Sequence, residues 1–310
     1  MATALITHAA CLEHDPGPYH PESPARLRAV LKALEAHEFD GLIREEAPRA
    51  TREQLMRVHP EAVVDMVLSI RPEQGDTINL DADTAMSSGS AEAALRAAGA
   101  AVRGVDMVMA GAVKNAFAAV RPPGHHAEPA RPMGFCLFNN AGIAALHARA
   151  AHGLTRVAVV DFDVHHGNGT QALFSGDPAL FYASSHQSPF YPGTGDARER
   201  GSANNVVNVP LRARDASPAF RSAWAGTIIP ALEAFAPELL IISAGFDAHR
   251  EDPLASLRLE TDDFAWITAA LLSAAEARCG GRVVSVLEGG YDLEALADSA
   301  AVHVRGLMGA

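Results

Sequence analysis

Short apolar runs recur along this chain, and the stretches between them carry helical periodicity. Residues 4–7, 116–120, 157–161, 180–184, 206–209, 239–243 and 283–287 are rich in Val, Ile, Leu, Phe and Ala and read as buried strands. Between them, residues 24–37 place Leu27, Val30, Leu31 and Leu34 on one helical face. Residues 54–67, the alanine-rich 90–113, 140–152, 219–234 and 261–278 read as further helices. Residues 71–88 are polar, hold Asp76, Asp81 and Asp83, and read as a long surface loop of the kind that often carries function. Strands alternating with helices predict an α/β fold: a mostly parallel central sheet flanked by helices on both faces. No repeat, low-complexity tail or Pro/Gly/Ser linker interrupts the pattern, so a single domain over residues 1–310 is expected.

Four of these strands end in polar or glycine-rich segments. The run at 116–120 leads into Arg121-Pro122-Pro123-Gly124-His125-His126. The run at 157–161 leads into Asp161-Phe162-Asp163-Val164-His165-His166-Gly167-Asn168-Gly169-Thr170-Gln171. The other two give Gly245-Phe246-Asp247 and Glu288-Gly289-Gly290-Tyr291. In a parallel sheet these carboxyl ends share one edge, where open α/β sheets bind their ligands. Asp163 and His165 are two residues apart, a spacing that puts both on one face of an extended chain. A lone aspartate at a strand end more often caps the next turn. Carboxylate and imidazole together are zinc ligands, and Asp247 completes a trio that leaves a position open for water. Such an ion would acidify the water and polarise a bound carbonyl.

The neighbouring segments add groups suited to the same chemistry. His125 and His126 follow a rigid Pro-Pro-Gly turn, and imidazole suits general acid–base work near neutral pH. Tyr291 follows two glycines and brings a hydroxyl that can donate to an oxyanion. Phe135, Cys136 and Phe138 fit a pocket wall or the core equally well.

Composition narrows the picture further. The 310 residues are 48% hydrophobic and carry a net charge of −12. That balance gives no basis for direct nucleic-acid or anionic-membrane binding and mildly favours cationic substrates. Cys11, Cys136 and Cys279 lie far apart with no CxxC pair, which points to a reducing, cytoplasmic setting without disulfides. The first ten residues lack the basic stretch of a signal peptide. No apolar run approaches the roughly 20 residues that span a membrane. A homo-oligomer is compatible with all of this.

Taken together, these segments resemble the histone deacetylase family, whose fold is the arginase–deacetylase fold. The resemblance runs from His20-Pro21-Glu22-Ser23-Pro24-Ala25-Arg26-Leu27 to Glu288-Gly289-Gly290-Tyr291 and includes Met133-Gly134-Phe135-Cys136-Leu137-Phe138-Asn139-Asn140. The H-H-G-N-G-T-Q form is similar to the class II branch and its bacterial relatives. The resemblance implies a zinc-dependent deacetylase acting on an acetylated lysine side chain or a small acetylated amine such as an acetylpolyamine. It implies zinc at Asp163, His165 and Asp247, with His126 as general base and then acid. His125 would be the electrostatic partner of His126, bonded to Asp161, and Tyr291 would hold the carbonyl and its oxyanion. A structural potassium ion would take backbone carbonyls of Asp161, Asp163 and His165, with Ser184 and Ser185. Gly134, Phe135 and Tyr191 would form a narrow tunnel, and Asp83 would clamp the substrate backbone.

Three positions depart from relatives within that family. Asn168 stands where the class I branch has an aspartate beside the second histidine, which would leave His126 more readily neutral. Tyr191 replaces the more usual phenylalanine before Pro192-Gly193-Thr194-Gly195. Leu254 stands where polyamine-selecting relatives can carry a glutamate. Two other readings compete. The arginase branch would use two metals and His249, but it needs more carboxylates than this chain supplies near residue 163 and gives no role to Tyr291. A non-catalytic acyl-lysine binder would not need every ligand and Tyr291 in place. His166 is expected to pack behind the site and His249 to be exposed.

Overall fold

The structure, a computed structural model, describes residues 2–309, so the two terminal residues of the expected domain lie outside it. In chain order the elements are β1 (Thr3–Thr7), α1 (Pro24–Ala33), β2 (Ile43–Glu46), α2 (Arg52–Met56), α3 (Glu61–Ser69), β3 (Ile78–Asn79), β4 (Ala85–Met86), α4 (Ser90–Met109), β5 (Asn115–Ala118) and α5 (Asn140–His152). There follow β6 (Val157–Asp161), α6 (Asn168–Phe174), β7 (Leu180–Gln187), β8 (Val206–Leu211), α7 (Ser217–Ala223), α8 (Ile229–Phe235), β9 (Leu239–Ala244), α9 (Thr261–Cys279), β10 (Val283–Leu287) and α10 (Leu293–Met308).

Eight strands form one parallel sheet in the order β2-β1-β5-β10-β9-β6-β7-β8. Helices α4 and α5 pack together against one face, and α10 lies between α1 and α9 against the other. The central strands are covered on both sides, which explains their unbroken apolar runs: Val157 to Val160 and Leu239 to Ile242 have no exposed surface.

Several elements differ from the sequence pattern for local reasons. The helix expected over 54–67 is two helices, because Pro60 has no N–H to donate and disfavours helix in the residue before it. Thr51 and Gln54 form a capping box that starts α2. The loop at 71–88 contains the small antiparallel pair β3–β4. Strand β2 is Ile-Arg-Glu-Glu at the sheet edge and has no apolar run to announce it. Helix α10 does carry a readable stripe, Leu296, Ala300, Val304 and Leu307, all buried.

One buried charge cluster joins α1 to the end of β5. Glu22 accepts from Arg26 at 2.9 Å and from Arg121 at both oxygens, and His14 stands 3.2 Å away. Burial pushes the Glu22 carboxyl up, but Arg121, His14 and Arg26 outweigh it and hold it well below its ordinary 4.5. A depressed folded pKa contributes stability above the unfolded value that is lost as pH falls below it. Glu22→Gln should therefore lower unfolding stability at pH 7 by about 3–5 kcal/mol, since it leaves buried guanidinium uncompensated. In urea unfolding, the gap to wild type should narrow as pH drops below about 4.5.

Candidate active site

Strands β5, β10, β9 and β6 are consecutive neighbours in the sheet, so the four unusual segments that follow them meet at one edge. Asp161 closes β6, and Asp163 and His165 lie beyond it in a loop rather than on the strand. Their common direction comes from hydrogen bonds, not from strand alternation. Asp163 N–H donates to Asp161 Oδ1, His165 N–H to Asp163 Oδ1, and Val164 N–H to Asp247 Oδ1.

His165 Nδ1 stands 3.1 Å from both Asp163 Oδ1 and Asp247 Oδ2. Burial depresses His165, but hydrogen bonds to the two carboxylates prevail and raise it to about 10. The donor atoms of the trio lie within 4.8 Å of one another, and all three residues are buried. Two carboxylates and an imidazole around a point that demands positive charge fit a divalent ion. Gly289 N–H donates to Asp163 Oδ2 at 2.8 Å. A Cβ on Gly289 would collide with the carboxylates of Asp247 and Asp163.

The adjacent histidines are held differently. His125 Nδ1 is 2.9 Å from Asp161 Oδ2. Burial opposes its charge, yet Asp163 and Asp161 outweigh burial and raise it well above 6.5. His126 Nδ1 is 2.8 Å from Asn168 Oδ1. Burial and the charges on His125 and His165 hold His126 well below 6.5, so it is neutral at pH 7. Asn168 opens α6, whose start lies inside the run after β6.

Two buried carboxylates that sequence patterning did not single out hold these loops. Glu288 accepts from Gly124 N–H, His125 N–H and the Ser243 hydroxyl. Asp252 accepts from Tyr291 N–H at 2.7 Å and Leu254 N–H at 2.9 Å. Arg26 donates to the carbonyls of Gly290 and Glu288 and lies 4.7 Å from the centre of the Tyr291 ring. Burial raises the Tyr291 phenol well above 10, with Arg26 opposing, so its hydroxyl keeps its hydrogen.

His126, His165 and Tyr291 open onto one cavity of about 200 Å³, lined also by Asp83, Gly134, Phe135, Phe190, Tyr191 and Leu254. All five expected substrate-contacting residues, Asp83, Gly134, Phe135, Tyr191 and Leu254, line it. Phe190 is an addition; its ring stacks on His165 at 5.3 Å. Tyr191 meets His126 edge-on at 5.2 Å. Cys136 and Phe138 belong to the buried core instead. Phe135 adopts φ +68, a strained conformation for a bulky residue, and that turn aims its ring across the cavity at Tyr291, 5.9 Å away.

Other expected positions are placed as follows. Ser184 pairs with Asp161 across β7 and β6, and its hydroxyl is 2.9 Å from His186 Nδ1. The Ser185 hydroxyl accepts from Trp224. His166 is held behind the site by Thr194 and Gln171. His249, expected to be exposed, is buried: its ring faces Phe264 and its Nδ1 accepts from Glu251 N–H. It takes no part in the trio. A second trio, Asp106, His147 and His152, has both Nε2 atoms 2.7 Å from Asp106 Oδ1. There Arg57 donates to His147 Nδ1, which leaves the hydrogen on Nε2, so the trio is a hydrogen-bonded pin between α4 and α5 rather than a ligand set.

Comparison with known proteins places the chain in a family. Residues 20–307 match the histone deacetylase domain. The chain is 38% identical to the histone deacetylase-like amidohydrolase of Pseudomonas aeruginosa, over 93% of this chain and 81% of that one. It is 38% identical to the human polyamine deacetylase HDAC10, over 100% of this chain and 48% of that longer protein. The crystal structure of the HDA15 HD domain superposes with a TM-score of 0.93 at 38% identity, covering 100% of this chain and 89% of that one. The chain belongs to the histone deacetylase family, a family of deacetylases and amidohydrolases, and has its arginase–deacetylase fold.

Gly134 has φ +57, and a Cβ there would stand 2.6 Å from His126 Cδ2. Gly134→Ala is expected to push the imidazole out of line and lower kcat for deacetylation by about 10²-fold. Unchanged turnover would show that the ring has room to give.

Proposed function

We propose that this protein is a zinc-dependent deacetylase that hydrolyses the amide of acetyl-lysine or a related short acyl-amine. The observation that carries the reading is that His126, Tyr291 and His165, the last a member of the Asp163–His165–Asp247 cluster, line one cavity. Asp163, His165 and Asp247 would hold the zinc, which when bound would supply Lewis acidity to a water and a carbonyl. His126 takes the proton of the attacking water at Nε2, because Nδ1 already carries the hydrogen donated to Asn168. Tyr291 donates its O–H to the acyl oxygen, a bond that strengthens as negative charge develops there. Water adds to the carbonyl carbon, the C–N bond breaks, and the proton on His126 passes to the departing amine nitrogen. His125, kept cationic by Asp163 and Asp161, balances negative charge beside the reacting carbon.

The reading includes two further elements. Potassium bound by backbone carbonyls of Asp161, Asp163 and His165 with Ser184 and Ser185 would stiffen the loop after β6; the pairing of Asp161 with Ser184 supports it. Three buried free cysteines support a reducing, cytoplasmic setting. On substrate, the relative named as a polyamine deacetylase favours acetylpolyamines as a second reading. Leu254 on the cavity wall supports acetyl-lysine, since it offers no carboxylate to a distant ammonium.

Tyr291→Phe and His126→Ala should each lower kcat by about 10²-fold or more while zinc stays bound. Wild-type turnover in either variant would remove that residue from the mechanism. Metal analysis should find close to one zinc per chain, and chelation should abolish activity that zinc restores; a pair of manganese ions would overturn the assignment. A panel of acetyl-lysine peptides, trifluoroacetyl-lysine and acetylpolyamines, compared by kcat/KM, decides between the substrate classes.

The pH profile gives a separate check. His126 faces His125, His165, Asp163 and Asn168, and it is depressed chiefly by burial. Asn168→Asp adds negative charge that favours its protonated form. The acidic limb of kcat/KM should then move to higher pH, and a limb that stays in place would sink this account of Asn168.

A further inference from the structure

Asn168 holds the hydrogen of the His126 imidazole, and an amide can do this in only one of its two orientations. His126 Nδ1 is 2.8 Å from Asn168 Oδ1, while Asn168 Nδ2 is 2.8 Å from Glu128 Oε1 and 3.3 Å from Met133 Sδ. The Glu128 carboxylate oxygen and the Met133 thioether are the acceptors that Asn168 Nδ2 faces, so the amide turns its NH₂ toward them and its oxygen toward His126. An oxygen there requires His126 to carry its hydrogen on Nδ1, which leaves the Nε2 lone pair free. With the amide reversed, an N–H would face Nδ1, the imidazole hydrogen would move to Nε2, and the ring could not accept a proton there. An aspartate at 168 would carry no such ambiguity, because both its oxygens accept.

We propose that Glu128 is a positioning residue: it fixes the Asn168 amide and, through it, the tautomer of His126. The proposal rests on His126 acting as the general base. Glu128 reaches this place from the loop just after the two histidines, and its other oxygen takes Arg131 at 3.3 Å. Its side chain is 32% exposed, so it can be replaced without opening the core.

The zinc-loaded enzyme provides the test, measured on the pH plateau of each variant. Glu128→Ala should lower kcat by about tenfold or more, since the wrong tautomer is inactive, with little change in KM. In an Asn168→Asp background the same substitution should cause no further loss, because nothing remains to be oriented. Wild-type kcat in Glu128→Ala overturns the proposal, and so does an equal loss in both backgrounds, which would mark a merely structural role. Imidazole ¹⁵N shifts of the unmutated protein, with His126 assigned through His126→Gln, read the tautomer directly. Hydrogen on Nδ1 is expected, and hydrogen on Nε2 overturns the proposal. If His126→Ala itself retains full activity, the general-base reading fails rather than this one.

Discussion

A carboxylate sealed from water must be met by positive charge or by N–H donors, and at the carboxyl edge of this sheet that requirement ties the loops together. Asp161, Asp163, Asp247, Glu288 and Glu22 are each exposed by 1% or less. Every one is answered from a different segment of chain. Asp161 meets His125, Asp163 meets His165 and Gly289, and Asp247 meets Val164 and His165. Glu288 gathers the backbone before His126, and Glu22 gathers Arg26 and Arg121. Loops that would otherwise move independently are held by their neighbours' charges. That is how a site built almost wholly on loops keeps the fixed geometry that hydrolysis demands.

Under the same burial, adjacent residues are held in opposite protonation states by different partners. His125 and His126 are consecutive in sequence and equally hidden, yet one is held charged and the other neutral. Their partners decide the difference: a carboxylate for the first and an uncharged amide for the second. One imidazole is thereby left free to accept a proton while its neighbour supplies positive charge. The glycines of the site serve a related end. At positions 134 and 289 a side chain would occupy the space taken by the His126 ring and by the Asp163 and Asp247 carboxylates, so close approach there is possible only without a Cβ.

Much of the fold was legible because buried parallel strands leave continuous apolar runs, and the strands at 157–161 and 283–287 are where those runs place them. Polar edge strand β2 was not, since an edge strand need not be apolar. Asp163 and His165 lie together as residues two apart on a strand would, but a hydrogen-bonded loop, not a strand, brings them there. Glu288, Asp252 and Arg26 were hidden as functional supports: their role lies in backbone groups they bond far along the chain, and spacing along the sequence carries no trace of such a partner.

By itself, the sequence determined which side chains are available, that the strands would be parallel and buried, and that four of them would deliver unusual residues to a common edge. Only the tertiary structure decided that those four strands are consecutive neighbours and that Asp247 closes the trio with His165. It alone decided that Glu128 stands across Asn168 from His126. The physical reason is that periodicity records whether a residue faces core or solvent, whereas strand order and the direction of a hydrogen bond depend on contacts between residues far apart in the chain.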